Sequence, residues 1–205
     1  FVDPHPYYSL GAPYDNKESI WKSRESVVKK LLDVDDNFKS QFKDMSLIIY
    51  DSWRPLKVQE YMFKLAFDNE CKKEGLDLSI THMNIYPEIV KKIEKFWAYP
   101  SDEENCPPPH STGAALDISL VDKNGKAIEM GSNIDQMDDT SKPEYFENIN
   151  DKSAFIWHQR RNNLKEVMLK SGFAQHPNEW WHFSYGDQLW AWKKKKPNAI
   201  YGKVS

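Results

Sequence analysis

Hydrophobic positions along the chain mark out helices first. Ile20, Val27, Val28, Leu31 and Leu32 recur at helical spacing, with Asn16 or Ser19 placed to cap the start. The run LIIYDSW at residues 47–53 is short, β-branched and aromatic, which predicts a buried strand. Pro55 fits the first turn of a helix, and Val58, Met62, Leu65 and Ala66 would face its core side. A further helix is expected over residues 87–97, with Ile89, Val90, Ile93 and Phe96 on one face and Pro100 as its stop.

Beyond residue 100 the texture changes. PSDEENCPPPHSTG is polar and proline-rich and reads as a loop ending at Gly113. AALDISLVD then alternates as a strand does, and DKNGK offers the Asn-Gly turn of a hairpin. Residues 131–151 read as a second loop. Over residues 154–171, Ile156, Leu164, Val167 and Met168 predict the last long helix, which Gly172 can close. EWWHFSY follows as an aromatic strand. Helices and strands mix without a βαβ repeat and the hairpin implies antiparallel pairing. The expected fold class is therefore α+β, a central antiparallel sheet flanked by helices.

Composition narrows the function classes. With 205 residues, 40% hydrophobic and 14% aromatic, the chain can bury a sizeable core and is expected to form one domain, without repeats or low-complexity linkers. A net charge of −3 and a pI near 6.1 carry no basic footprint for nucleic acid. The basic run Lys193 to Lys196 reads as a solvated end. No apolar stretch reaches the ~20 residues of a membrane span. FVDPHPYYSL lacks the charged-then-apolar pattern of a signal peptide, but the chain starts at Phe1 rather than Met, so a removed leader stays open. Cys71 and Cys106 sit in no CxxC pair and are expected as free thiols.

Candidate chemistry lies in two places. A zinc enzyme needs three ligands from His, Asp, Glu or Cys, an open position for water and a carboxylate to act as base. His110 and Asp117 flank Gly113, which lets the loop and the following strand point to one place. Glu179 and His182 stand on either side of Trp180 and Trp181. Three residues apart on a regular strand they would face opposite ways, so their convergence requires a bulge or twist that spacing does not supply.

PHSTGAALD resembles the His-x(6)-Asp zinc motif of the D-alanyl-D-alanine dipeptidases of the VanX type, and EWWHF resembles that family's Glu-Trp-Trp-His motif. YDSWRPLKVQ, EMGSNID and RRNNLKEVMLKSGF resemble further segments in the same order, so the likeness runs from about residue 48 to 192. The resemblance implies a hedgehog/DD-peptidase-like fold and one zinc ion per chain held by His110, Asp117 and His182. It implies Glu179 as general base and then acid, and Arg54 as the group that holds the scissile carbonyl oxygen. Asp135 would bind the free amino group of a dipeptide, and Trp181 would wall the site. The best-known members carry Ser two residues before the first zinc His and Arg two after it. Here those places hold Pro108 and Thr112, so contacts made through that serine do not carry over.

The expected activity is hydrolysis of D-Ala-D-Ala or a closely related short D-amino-acid peptide, by a protein of the bacterial cytoplasm or periplasm. Two rivals stand beside it. One is a D,D-carboxypeptidase or L-alanyl-D-glutamate endopeptidase that takes longer peptidoglycan peptides. The other is a zinc-bearing binding module without catalysis, as in hedgehog signalling domains. The oligomeric state is not legible.

Overall fold

The structure is a computed structural model that describes residues 1–16, 20–77 and 83–204. Met45–Asp51 (β1), Ala115–Asp122 (β2), Ala174–Gln175 (β3) and His182–Ser184 (β4) form one antiparallel sheet, ordered β1-β2-β4-β3. The central β2 is buried along its first six residues, because both its faces are covered. Asp51 pairs with Asp117, and Asp117 with His182, so one row across the sheet carries all three side chains on the same face. The register of β1 against β2 shifts between Ile49 and Asp51, a bulge at the end of β1 nearest this row.

Helices are Pro6–Ser9 (α1), Glu25–Gln41 (α2), Leu56–Lys73 (α3), Pro87–Ile93 (α4), Lys152–Lys170 (α5) and Gln188–Lys193 (α6). Two apolar clusters hold most of them, and a small third one, Trp190 and Ala191 with Ala174, holds α6. In the first, Val27, Val34 and Phe38 of α2 and Leu164, Val167 and Met168 of α5 meet Leu116, Ile118 and Leu120 of β2, together with both tryptophans of the EWWHF stretch. In the second, Val58, Met62, Phe63 and Phe67 of α3 pack with Ile89 and Ile93 of α4, Tyr7 and Trp97. Among the described residues no helix is long and apolar enough to cross a membrane. Cys71 is buried, Cys106 is exposed and both are free.

The expected elements stand with several shifts. The first long helix begins at Glu25, not after Asn16, and Ser19 lies outside the described residues. Residues 23 and 24 are pinned elsewhere: Ser23 Oγ donates to Gly113 O at 2.9 Å, Arg24 N to the same oxygen at 2.9 Å and Arg24 Nε to Thr112 O at 2.7 Å. Ile20 is thus off the helix, buried in the second cluster. The core face of α2 runs through Val27, Leu31, Val34 and Phe38, while Val28 and Leu32 face out. The helix expected over 87–97 ends at Ile93. The Asn-Gly turn closes on a single bridge between Val121 and Ala127. EWWHFSY contributes only three strand residues, and α6 follows it unannounced.

Gly131 tests the packing at the start of the second loop. Its φ is 85°, and a Cβ there would overlap the Phe146 ring and come within 2.9 Å of Trp157. Gly125 has a similar φ of 79° with open space around it. Gly131→Ala should therefore cost about 2–5 kcal/mol, strain and overpacking together, and Gly125→Ala only about 1–2 from strain, as read by urea unfolding.

Candidate metal centre

The loop before β2 is rigid where it matters. Pro108 and Pro109 lead into a single 3-10 turn, Pro109–Thr112, and Gly113 at φ 70° turns the chain into β2. His110 is thereby held over the end of the sheet. Its Nδ1 lies 2.7 Å from Ser52 O, and a carbonyl can only accept, so Nδ1 carries the proton and Nε2 presents a lone pair. That Nε2 is 3.1 Å from His182 Nδ1 and 3.3 Å from Asp117 Oδ2, while His182 Nδ1 is 3.1 Å from Asp117 Oδ1.

His110, Asp117 and His182 are all buried, and their ligand atoms lie within 4.8 Å of one another. Two imidazole nitrogens and a carboxylate converging in a buried space suit a divalent cation, and the N,N,O donor set suits zinc. The donors present therefore fit the metal that the sequence resemblance implies. Despite burial, His110 and His182 hold the Asp117 carboxyl well below the usual carboxylate range. The His110 pKa is raised in turn: burial lowers it, but the Asp117 charge and hydrogen bond together with the Asp51 charge outweigh that.

Glu179 reaches the same place from outside the strand. His176 N donates to His182 O at 3.0 Å and Gln175 Nε2 to Trp180 O at 2.8 Å, so residues 176–181 form the bent connection between β3 and β4. This bend removes the alternation of a regular strand, and Glu179 Oε2 comes to 3.6 Å from His182 Nδ1. Its other oxygen is 3.5 Å from His176 Nδ1. Burial, then repulsion by Asp117 and Asp135, pushes the Glu179 carboxyl well above its ordinary value. Trp180 and Trp181 stand edge to face at 5.5 Å and 89°. Trp181 lines the site cavity, whereas Trp180 turns its Nε1–H to Ser132 Oγ at 2.9 Å.

Arg54 forms the opposite wall. It is 4% exposed, with Nε 3.0 Å and Nη2 2.6 Å from Asp51 Oδ2. Nη1 donates to Gln59 Oε1 at 2.7 Å, and Nη2 also donates to Tyr7 OH at 3.2 Å. The rings of Tyr7 and Trp97 lie 4.8 and 5.0 Å from the guanidinium carbon. Asp51 in turn meets His5 Nε2 at 3.1 Å. Burial alone would raise Asp51, but Arg54, His5 and His110 hold it below its usual value.

Asp135 completes the ring of carboxylates. It is a non-glycine residue at φ 63°, part-buried, and both its oxygens accept from Tyr7 OH, at 3.1 and 3.0 Å. Burial and the nearby Asp117 charge push its pKa up to about 7. Arg54, His110, Asp117, Asp135, Glu179 and His182 all line one cavity of about 50 Å³, so the structure brings every expected site residue together, Trp181 included. Sequence reading missed His5, Tyr7, Gln59, Trp97 and His176. Asp51 lies within YDSWRPLKVQ but carried no expected role. All are buried except the half-buried His176, and none follows a local period.

Comparison with known proteins gives concordant results. The D-ala-D-ala dipeptidase family, Peptidase_M15, matches residues 17–200. A D-alanyl-D-alanine dipeptidase of Synechocystis sp. is 36% identical over 219 residues, covering 99% of this chain and 87% of that relative. One of Enterococcus faecium is 24% identical over 188 residues, covering 91% of this chain and 79% of that one. Among solved structures, VanYB in complex with D-Alanine-D-Alanine aligns distantly, with TM-score 0.49 and 16% identity over 85% of this chain and 79% of that one.

The Asp51 to Arg54 pair should dominate local stability. Asp51→Ala removes the carboxylate that Arg54 bonds twice, leaving among the described residues only the Asp117 carboxylate at 3.6 Å, and should cost about 3–5 kcal/mol in urea unfolding of the metal-free protein. Asp15→Ala, which breaks the exposed pair with Lys57, should cost under about 1 kcal/mol.

Proposed function

The chain belongs to the D-Ala-D-Ala dipeptidase family, Peptidase_M15, and on that premise we propose that it is a zinc metallopeptidase that hydrolyses D-Ala-D-Ala or a closely related short D-amino-acid dipeptide. The observation that carries this reading is the convergence of His110, Asp117 and His182, buried and within 4.8 Å of one another, with Glu179 beside His182. His110, Asp117 and His182 would hold one zinc ion per chain. Bound there, zinc supplies Lewis acidity, polarising a peptide carbonyl and making water acidic enough to act as a nucleophile near neutral pH.

The chain's own residues supply the rest. Glu179 accepts the proton of the attacking water and delivers it to the leaving amine, two tasks that a carboxylate with a raised pKa can do in sequence. Arg54 stabilises the negative charge that develops on the carbonyl oxygen. Among the described residues four of its five N–H groups have acceptors, Asp51 twice, Gln59 and Tyr7, and one Nη1–H is left for substrate. Its position is set by partners on both sides, so little reorganisation is needed as the oxyanion forms. Asp135 would meet the free amino group of the dipeptide, and Trp181 would exclude water from one side.

Cavity size favours a short substrate over a long chain. Pro109 from the proline-rich loop and Asp135 from the second loop both line the cavity of about 50 Å³, so both loops supply part of its wall. A small cavity walled from both loops argues against longer peptidoglycan peptides. Glu179 and Arg54, which have no metal-holding duty here, argue against a binding module without catalysis.

D-alanine release from D-Ala-D-Ala by the zinc-loaded protein tests the proposal. Glu179→Ala should abolish release yet keep its zinc, whereas His110→Ala should lose both, with metal content read by mass spectrometry. N-acetyl-D-Ala-D-Ala should be a poor substrate. Ready hydrolysis of the blocked peptide would point instead to a carboxypeptidase, and zinc-loaded protein that releases nothing would sink the substrate assignment.

A further inference from the structure

Arg161 lies midway along α5 and is 1% exposed. Its guanidinium spends its donors on one stretch of chain. Nε donates to Met130 O at 2.7 Å and Nη2 to Ser132 Oγ at 3.0 Å, while Nη1 donates to Thr140 O at 2.9 Å and Lys142 O at 3.0 Å. The rings of Phe146 and Trp180 lie 4.7 and 5.2 Å from its central carbon. Among the described residues no carboxylate forms an ion pair with it. Burial pulls its pKa down to about 9, so at neutral pH it is charged and has only neutral acceptors.

An uncompensated buried cation is costly, and an apolar side chain of similar volume would fill the same space without that cost. What the apolar side chain could not do is bond both feet of the loop at once. Met130 and Ser132 stand on the incoming foot, Thr140 and Lys142 on the outgoing one. Between them is Asp135, at a φ of 63° that a non-glycine residue keeps only where its surroundings impose it. Trp180 ties the same feet from the other side, donating Nε1 to Ser132 Oγ and N to Ser141 O, each at 2.9 Å. The residue before Trp180 is Glu179.

We infer that Arg161 is a positioning residue for recognition of the substrate's amino end: it clamps the two feet of the loop that carries Asp135 and, with Trp180, sets that carboxylate's distance from the reacting bond. This rests on the reading of Asp135 as the partner of the dipeptide amino group. The fork geometry is what matters, because a lysine keeps the charge but cannot reach four acceptors on two strands of the loop at once.

The test uses zinc-loaded native protein, Arg161→Lys, Asp135→Asn and the double variant. Arg161→Lys should raise KM for D-Ala-D-Ala roughly tenfold with a smaller change in kcat, the pattern of lost ground-state binding. Its zinc content should match the native protein, and amide exchange should quicken over residues 131–142 above the rest of the chain. In the Asp135→Asn background the same change should add little to KM, because the two act through one contact. Arg161→Met, which removes the charge as well, should show the same loop exchange if it folds. KM penalties that multiply, or loop exchange unchanged in Arg161→Lys, would overturn the inference. If Asp135→Asn alone leaves KM unaltered, the reading of Asp135 fails, and with it the claim about the amino end. Loop exchange then decides separately whether Arg161 clamps the loop.

Discussion

Charge burial in one small cavity is the constraint on which the rest of the structure depends. Three carboxylates, Asp117, Asp135 and Glu179, line a space with little room for water together with Arg54, His110 and His182, and a fourth, Asp51, pairs with Arg54 outside that lining. They cannot all be ionised on the same terms. Asp51 and Asp117 sit against cations and imidazoles and are held low despite burial, while for Asp135 and Glu179 burial and repulsion by Asp117 outweigh their neighbours and push both up. That split separates the groups suited to holding positive charge from those suited to moving or meeting protons. The proposed zinc supplies the positive charge that the His110, Asp117, His182 group otherwise lacks.

Sheet register delivers this arrangement with few residues. Asp51, Asp117 and His182 are consecutive partners across β1, β2 and β4, and a slip of one residue would turn any of them to the other face. β4 is only three residues long, so backbone pairing alone would be a weak hold. Leu116, Ile118, Trp180, Trp181 and Phe183 supply the remainder by packing in one cluster with α2 and α5. The site thus lies where the two larger apolar clusters meet, Trp181 belonging to one and Trp97 to the other, and both line its cavity.

Two arginines outside the cavity hold the loops that form it. Arg24, at the foot of α2, donates from its guanidinium to Thr112 O just past His110 and to Gly202 O, and from its main-chain N to Gly113 O. Arg161 binds both feet of the loop around Asp135. In each case a guanidinium on or beside a long helix bonds main-chain oxygens that no strand partner reaches. Loops fixed in this way keep their shape without regular structure, which a site needing both rigidity and irregular backbone requires.

Much of this was legible from residues alone. The strand expected over residues 47–53, which forms over Met45–Asp51 and is half-buried rather than buried, the helix after Pro55, the proline-rich loop, the strand after Gly113 and the helix before Gly172 all follow from periodicity and from Pro and Gly. These are local effects, encoded within a few residues of where they act. Motif order likewise singled out His110, Asp117, Glu179 and His182. Tertiary structure decided what periodicity does not encode. Which face of α2 turns inward depended on the pinning of Ser23 and Arg24 to a loop almost ninety positions away. The bend that lets Glu179 meet His182 depended on bonds to Ser141 and β2. His5, Tyr7 and Arg161 became part of the site or its support only when distant segments came together. A buried polar group takes its role from partners far along the chain, and local sequence spacing carries no record of them.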